Sequence, residues 1–550
     1  MEPAVRAAQM ETVDPDAKEY KRELSFRDLL MVSITGVIGS GWLFGSYNAA
    51  KIAGAGSIVA WLLGAAAILI STLPNAELVG MFPRAGGAMR YPLYSHGSFA
   101  AFIVAWASWI PGAAGAATES AAVIQYASSY LPGLYSGDRM SGIGIALAAL
   151  LVILFSYVNL LGIRWFARIN TPLTMIKLIV PSATIVVLLV TSFHPENFGS
   201  VAAGGFFPSG IRGVFVALAT SGIIYSYLGS TGPVQLAAEA RNPKRHIPMA
   251  ILAVVGLSMI VYVLLQVVFI GALPEGMLRN GWGSLHFNAP FVELLASINL
   301  VWCSYILYAD AVLSPSGTAL TATATVARIL YAMGLQGWAP KLVAAVDKQR
   351  GVPVAAILIN TVVGLVFLLP FPSWQALIGV VVICALFTNL VFPATVSVLR
   401  RTVPNQERPF KVPWLRVTAP LSSAVSCLIM YWIGWPAIGQ VMLFFALGIG
   451  LYFVGMAKRK LPWQHVKAGV WLVVAMAFLP LVSYLGTFGG QGVIRAPWDS
   501  IIVGAGGVLL WLFGDRSGLS FPAAVRGQIQ KDITSYEVEA AELVDYDLNF

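Results

Sequence analysis

A glycine-rich stretch, residues 36–45 with the sequence GVIGSGWLFG, interrupts the first long apolar run of the chain. Each of its four glycines costs about 1 kcal/mol relative to alanine inside a helix. The run is therefore predicted to form two half-helices with a break between them. Backbone groups freed by a break persist at membrane depth only where they line a cavity or are buried in protein, and there they can bind a charged solute. The alternative interpretation is close helix packing through small residues.

A second interrupted run, residues 221–233 with the sequence SGIIYSYLGSTGP, has the same character. Pro233 has no N–H group, and Gly229 and Gly232 loosen the turn before it, so this helix is also predicted to break. The two breaks lie five apolar spans apart, which makes the two segments run in opposite directions. Paired discontinuous helices of this kind indicate an inverted-repeat transporter with its site at the bilayer midplane. The pairing favours a solute site over simple packing.

Three ionisable side chains lie deep in apolar runs: Lys177, Glu119 and Asp310. An ammonium there costs several kcal/mol unless it is paired or neutralised, so Lys177 is a functional candidate. Desolvation favours the neutral form of an amine, and we hypothesise that Lys177 couples proton movement to transport. The alternative is a structural ion pair, for example with Asp310. Either acid can pair with Lys177, face the pocket or stay protonated, and Ser314 and Ser316 form a polar stripe beside a proline.

Composition identifies the class of protein. The chain has 550 residues, of which 58% are hydrophobic and only 11% are charged, as in a polytopic membrane protein. Residues 1–26 are polar and lack the apolar segment of a signal peptide, so the N-terminus is predicted to stay in the cytoplasm. The three cysteines and five histidines do not form a disulfide set or a metal site, and no nucleophile–base pair recurs in the spans. We therefore expect no enzymatic activity and no cofactor.

Fourteen apolar spans are predicted, and an even number places both termini on one side. They cover residues 29–54, 56–80, 98–131, 142–163, 166–193, 211–240, 247–272, 296–333, 353–371, 374–399, 416–435, 437–457, 467–487 and 498–514. With the N-terminus inside, 28 of the 34 lysines and arginines fall on the inner side and five on the outer side. This asymmetry is a positive-inside signal, and it explains the net charge without a nucleic-acid partner. The prediction is a multi-pass protein of the cytoplasmic membrane with both termini cytoplasmic.

Four motifs resemble the amino acid–polyamine–organocation superfamily. They are residues 36–45, residues 82–87 (FPRAGG) followed by Tyr91, residues 239–248 (EARNPKRHIP), and residues 327–333 (ARILYAM) followed by 338–340 (WAP). The match runs in order over roughly residues 25–400. The resemblance implies an all-α fold of the leucine-transporter type with two five-helix inverted repeats, and about four accessory helices after them. The implied divisions are the tail 1–26, the repeats 27–193 and 209–400, the accessory helices 413–514 and the tail 515–550.

The resemblance also implies a substrate site. In that family the substrate carboxylate meets the break in helix 1, as free N–H groups at the start of a half-helix would allow, and the ammonium meets carbonyls of helices 1 and 6. Carried over by position, the site comprises Val37, Ile38, Ser40, Gly41, Trp42, Tyr225, Tyr227, Leu228 and Gly229. Tyr225 matches an aromatic gate, although ordinary helix packing is the alternative for both tyrosines. The chain has Thr231 where many members carry a glutamate, which puts that acid's role in doubt here.

The resemblance extends to coupling and substrate. In proton-coupled relatives a lysine on helix 5 takes the place where sodium-coupled members bind a cation, and Lys177 matches it. Fourteen helices and residues 314–318 (SPSGT) look most like the branch that contains aspartate–proton symporters. The expectation is an amino acid–proton symporter, with aspartate or glutamate favoured. An amino acid exchanger is the alternative of the same class, and a transporter-like nutrient sensor is the alternative from another class.

Overall fold

The computed structural model describes residues 24–82, 87–200, 203–235, 240–347, 349–459 and 463–518. Within these ranges, eleven helices are long and apolar enough to cross a membrane, and one bent pair of shorter helices makes twelve. The protein is thus a polytopic helical membrane protein. The figure is below the fourteen predicted spans because residues 41–81 count as one helical run, and because Val354–Phe367 is shorter than the other apolar helices.

The α-helices and strands of the described ranges, numbered in chain order, are twenty α-helices and one short hairpin. They are α1 (Phe26–Val37), α2 (Gly41–Ala53), α3 (Ser57–Met81), α4 (Gly87–His96), α5 (Ser98–Ala127), β1 (Tyr135–Ser136), β2 (Arg139–Met140), α6 (Gly142–Leu160), α7 (Ile163–Thr191), α8 (Gly210–Thr220), α9 (Ile223–Tyr227), α10 (Gly232–Gln235), α11 (Pro243–Ala272), α12 (Pro290–Ser297), α13 (Val301–Leu335), α14 (Val354–Phe367), α15 (Trp374–Thr402), α16 (Leu415–Ile433), α17 (Ala437–Arg459), α18 (Gln464–Lys467), α19 (Val470–Leu485) and α20 (Trp498–Ser517).

The first predicted interruption is observed at Ile38–Ser40, between α1 and α2. Helix α1 begins with a capping box, in which the backbone N–H of Asp28 bonds to the Ser25 hydroxyl and the backbone N–H of Ser25 bonds to the Asp28 carboxylate. The helix ends at Val37 because Ile38 takes an extended conformation, with φ −83° and ψ 90°. The glycine-rich stretch therefore separates two helices, α1 and α2.

The second interruption begins earlier than its proline suggests. Helix α8 ends at Thr220, and the chain bends by 49° before α9. Gly222 makes the bend with a φ of +100°, and a Cβ there would lie 2.6 Å from the Trp374 ring. Residues 228–231 form a 3₁₀ turn, and Pro233 lies in the first turn of α10, where a missing N–H removes no helical hydrogen bond. The bend comes from Gly222, and Pro233 starts the next helix.

Helices α5 and α15 are the most deeply buried of the spans that the structure describes, and α13 packs along α5. Helices α16 and α20 also pack against α15. A buried carboxylate joins these parts, because Glu77 of α3 accepts hydrogen bonds from Arg400 at 2.9 and 2.6 Å and from the backbone N–H of Val412 at 2.7 Å. Glu77 thus ties α3 to the end of α15 and to the loop before α16.

Candidate functional site

The two helix breaks pack directly against each other. A Cβ built on Gly229 would overlap the backbone of Gly36, and one built on Gly41 would overlap the Ser226 side chain. The first stretch therefore contains both a close helix contact and a helix break. Gly41 permits the close contact with Ser226, and Ile38–Ser40 forms the break. A Cβ on Gly39, within that break, would lie 2.8 Å from the Thr318 hydroxyl and 2.9 Å from a Glu119 carboxylate oxygen.

A carboxylate of the protein itself occupies the first break. Glu119 of α5 is fully buried, and one of its oxygens accepts the backbone N–H of Ser40 at 3.1 Å. The other accepts the Tyr225 hydroxyl at 2.6 Å. The site thus presents one N–H and one O–H donor that suit a carboxylate, and it brings together Ser40, Tyr225 and Glu119 from three distant parts of the sequence.

Two further side chains frame the break, and the sequence interpretation did not select them. The Trp374 indole N–H donates to the Ser40 hydroxyl at 2.8 Å, and its ring meets Tyr225 edge-on with centroids 6.0 Å apart. The Tyr262 hydroxyl donates to the Val37 carbonyl at 2.9 Å. Tyr262 could have been selected from the sequence, because Tyr262 and Gln266 are polar residues four positions apart in an otherwise apolar run. Trp374 is the first residue of an apolar span, and nothing in the sequence distinguishes it as a site residue.

Lys177 lies next to the first break, and both partners described for it are neutral. Its ammonium donates to the Thr35 carbonyl of α1 at 2.9 Å and to the Thr318 hydroxyl of α13 at 2.6 Å, and the side chain is fully buried. Gly317 gives it room, since a Cβ there would lie 3.0 Å from the lysine Cε. Lys177 therefore joins three helices, α1, α7 and α13, through hydrogen bonds to uncharged oxygens.

Asp310 and the two serines of the stripe make different contacts on α13. Asp310 is buried, and one of its oxygens accepts the Ser314 hydroxyl at 2.9 Å. The second Asp310 oxygen has no hydrogen-bond partner among the described residues. Ser316 instead bonds to the Val312 carbonyl of its own helix at 2.6 Å. Thr318, further along the same helix, accepts a hydrogen bond from Lys177, so α13 contacts α1 through that lysine.

The other predicted site residues lie in or next to the breaks and make contacts of their own. Trp42 is fully buried against Phe291, and its indole N–H has no partner in the described part of the chain. The Tyr227 hydroxyl donates to the Trp61 carbonyl of α3 at 3.3 Å. The Leu228 carbonyl accepts the Thr231 hydroxyl at 3.1 Å. Ile38 is buried within the first break.

Replacing Gly229 with alanine is expected to reduce transport strongly, because the added methyl would separate the two breaks. Overpacking of this kind costs about 1–3 kcal/mol. Gly256→Ala is the matched control, since a Cβ on Gly256 of α11 would meet nothing within 4 Å. Uptake per folded protein and thermal unfolding of both variants would be measured in parallel. Wild-type uptake by Gly229→Ala would contradict the close contact between the breaks.

The fold and site define a class. Across the ranges described, no three His, Cys, Asp or Glu side chains form a group that could hold a metal. Two broken helices meet in the core of a polytopic protein, with carboxylate-binding donors and a buried lysine beside them, as in transporters with discontinuous helices. The comparison with protein families agrees with this class. The family model described as amino acid permease matches residues 24–479.

The chain belongs to this amino acid permease family, within the amino acid–polyamine–organocation superfamily, and it is not an enzyme. It is 37% identical to the glutamate/serine transporter AimA of Bacillus subtilis, over 91% of this chain and 94% of that protein. It is 32% identical to the aspartate-proton symporter of the same organism, over 91% of this chain and 97% of that protein. The branched-chain amino acid permease BcaP is 25% identical over 80% of this chain and 94% of its own length.

Proposed function

We propose that this protein is a proton-coupled amino acid symporter that works by alternating access around its two helix breaks. The observation that carries the proposal is the Glu119 carboxylate on the Ser40 N–H and the Tyr225 hydroxyl. These donors hold a carboxylate in a buried site, and an amino acid brings a carboxylate. Substrate enters by displacing Glu119 from them. Tyr225, released from Glu119, then closes over the substrate.

Lys177 is the coupling group in this proposal. Its ammonium holds α1 to α13 through Thr35 and Thr318. A hydrogen bond from a charged donor contributes about 1.5–3 kcal/mol, against about 0.5–1.5 kcal/mol for a neutral one. Loss of the proton therefore weakens the link between α1 and α13 and lets the half-helix before the break move. Proton release from Lys177 and movement of α1 are thereby joined in one step.

The arrangement of the chain in the membrane is part of the proposal. The two repeats cover residues 27–193 and 209–400, and the packed pair of breaks supports that division. The lysine and arginine asymmetry supports a cytoplasmic location for both termini in the plasma membrane. Of the helices after residue 413, α16, α17 and α20 pack on α15 and stabilise it from outside the two proposed repeats.

Aspartate or glutamate is the proposed substrate. Support comes from the relatives, of which one is a glutamate/serine transporter and one an aspartate-proton symporter. A dicarboxylic amino acid carries a net charge of −1, so entry together with one proton makes the load neutral. That balance lowers the cost of taking the substrate into a low-dielectric site that already holds an acid.

Uptake into proteoliposomes tests the proposal. Labelled aspartate, glutamate and serine would be supplied singly, with and without an inward proton gradient. Accumulation of aspartate or glutamate that collapses with a protonophore is the expected result. A gradient of one pH unit supplies about 1.4 kcal/mol per proton, equivalent to about tenfold accumulation. Uptake that ignores the gradient and requires an amino acid inside the liposome would identify the alternative, an exchanger.

A further inference from the structure

Asp310 is a buried acid that the mechanism proposed above does not use. It lies on α13 with 1% of its surface exposed, and one of its carboxylate oxygens accepts the Ser314 hydroxyl at 2.9 Å. The other oxygen is buried and has no hydrogen-bond partner in the described ranges. Glu119, the second buried acid that interacts with Lys177, has a donor on each of its oxygens. Asp310 thus has an open oxygen where Glu119 has none.

Asp310 and a hydrogen-bond partner of Lys177 lie on one face of α13. Residues 310, 314 and 318 follow each other at intervals of four, which places their side chains in a row along the helix. Ser314 bonds to Asp310 at one end of the row, and Thr318 accepts the Lys177 ammonium at 2.6 Å at the other. The two hydroxyls belong to residues one turn apart, about 6 Å along the axis, a gap that one bridging water molecule spans. The row therefore leads from the open oxygen to the ammonium.

Two helices that pack on α13 bring titratable groups near Asp310. Lys177 of α7 and Tyr126 of α5 both interact electrostatically with its carboxylate. The Tyr126 hydroxyl is held by the Leu43 carbonyl, to which it donates at 3.0 Å. Glu119 of α5 interacts electrostatically with Lys177. Lys177 is therefore the group to which Asp310 can pass a proton.

The other elements packed on α13 contribute no partner for this row among the described residues. Helices α6 and α14 contain no Asp, Glu, Lys, Arg or His. Arg27 and Asp28 of α1 lie in its first turn, about two turns before Thr35. Glu293 of α12 is bonded to two backbone N–H groups in the turn before that helix. Lys341, in the 3₁₀ turn packed on α13, is exposed.

The orientation of α13 gives the row a direction. In the proposed arrangement, with the N-terminus in the cytoplasm, α13 begins at the outer side of the membrane. Asp310 precedes Thr318 by eight residues, so it lies about 12 Å closer to the outer side. A proton that enters from outside therefore comes to Asp310 before it comes to Lys177.

We propose that Asp310 is the acid that delivers protons from the outer side to Lys177. Its open oxygen takes a proton from outer water and forms a carboxylic acid. That proton then passes along the Ser314 and Thr318 hydroxyls and one bridging water molecule to the Lys177 amine. The O–H bond of the acid breaks, an N–H bond of the ammonium forms, and Asp310 returns to the carboxylate. The inference rests on the proposed symport, because it needs a proton that reaches Lys177.

Asp310→Asn separates proton delivery from coupling. The initial rate of gradient-driven uptake should fall about a hundredfold, the lower end of what a positioned acid contributes to a proton transfer. The final accumulation ratio should stay at the wild-type value, because Lys177 still sets it. Exchange against internal substrate should keep its rate, since it needs no proton, and it shows that the variant is folded. Ser314→Ala should give the same pattern, and Asp310→Glu should recover part of the rate.

The pH profile is a second readout, which a merely structural role would not move. The gradient would be held at one pH unit while both sides are shifted together. The uptake rate of Asp310→Asn should then fall about tenfold for each unit of rising outer pH, because its protons come straight from water. The wild-type rate should fall less steeply. Asp138→Asn is the matched control, since it makes the same change at an exposed acid of the β1–β2 hairpin, and it should behave like wild type.

Four results would overturn the delivery role. They are a wild-type initial rate in Asp310→Asn, a wild-type pH profile in that variant, loss of exchange in the folded variant, and an accumulation ratio of about one under a gradient of one pH unit. The last would make Asp310 part of the coupling site itself. Wild-type liposomes that accumulate no amino acid under a proton gradient would instead overturn the proposed symport, and the delivery role with it.

Discussion

Lys177→Ala is expected to abolish proton-driven accumulation while amino acid exchange continues. The variant removes the ammonium that bonds to the Thr35 carbonyl and the Thr318 hydroxyl. Movement of α1 then no longer depends on a proton. With an inward gradient of one pH unit, the accumulation ratio should fall from about ten to about one. Accumulation and exchange would be measured in the same liposomes, the latter with unlabelled substrate inside.

The controls separate coupling from stability. Lys177→Met keeps most of the side-chain volume and should repeat the result without leaving a cavity. Lys411→Met makes the same chemical change at an exposed position between α15 and α16 and should accumulate substrate like wild type. Unchanged accumulation in both Lys177 variants would contradict the coupling role. Loss of exchange in a protein that stays folded and monodisperse would assign Lys177 a structural role instead.

Glu119→Gln is expected to tighten substrate binding and to slow turnover. In wild type the substrate carboxylate must displace an anion from the Ser40 N–H and the Tyr225 hydroxyl. A neutral amide holds each donor less strongly by about 1 kcal/mol. Two such donors correspond to a gain of about thirtyfold in affinity. Release slows because the glutamine competes less well for the same donors. Equilibrium binding and uptake rate would be measured on one preparation.

The opposite outcome has a definite meaning. If Glu119 bonded to the substrate ammonium, Glu119→Gln would weaken binding, and the displacement mechanism would be wrong. Glu407→Gln is the control, since Glu407 is an exposed acid that pairs with Lys244 far along the chain from the breaks. It should leave affinity and turnover unchanged. Tyr225→Phe removes one of the two donors and should lower affinity more in the Glu119→Gln background than in wild type, because in wild type Glu119 loses the same hydrogen bond as the substrate.

The sequence by itself determined the class of protein, the two interruptions and the deep lysine. Apolar runs and the scarcity of charge dictate a polytopic membrane protein because every exposed charge in lipid is costly. Glycine and proline mark the interruptions because their effects on the backbone are local. Lys177 could be selected without a structure for the same reason, since a lone ammonium in an apolar run needs partners wherever the chain folds.

Only the tertiary structure decided which groups meet at the site. Glu119 lies 79 residues after Ser40 and 106 residues before Tyr225 along the chain. No local sequence pattern links the three. The partners of Lys177 could not be predicted from the sequence either. Hydroxyls, carbonyls and acids can all bond to an ammonium, and only the packing of the helices selects among them. Gly222 bent the second span where Pro233 was expected to, since the Trp374 ring fills the space that a side chain would need. Local backbone preferences are written in sequence, whereas contacts between distant helices depend on how those helices pack.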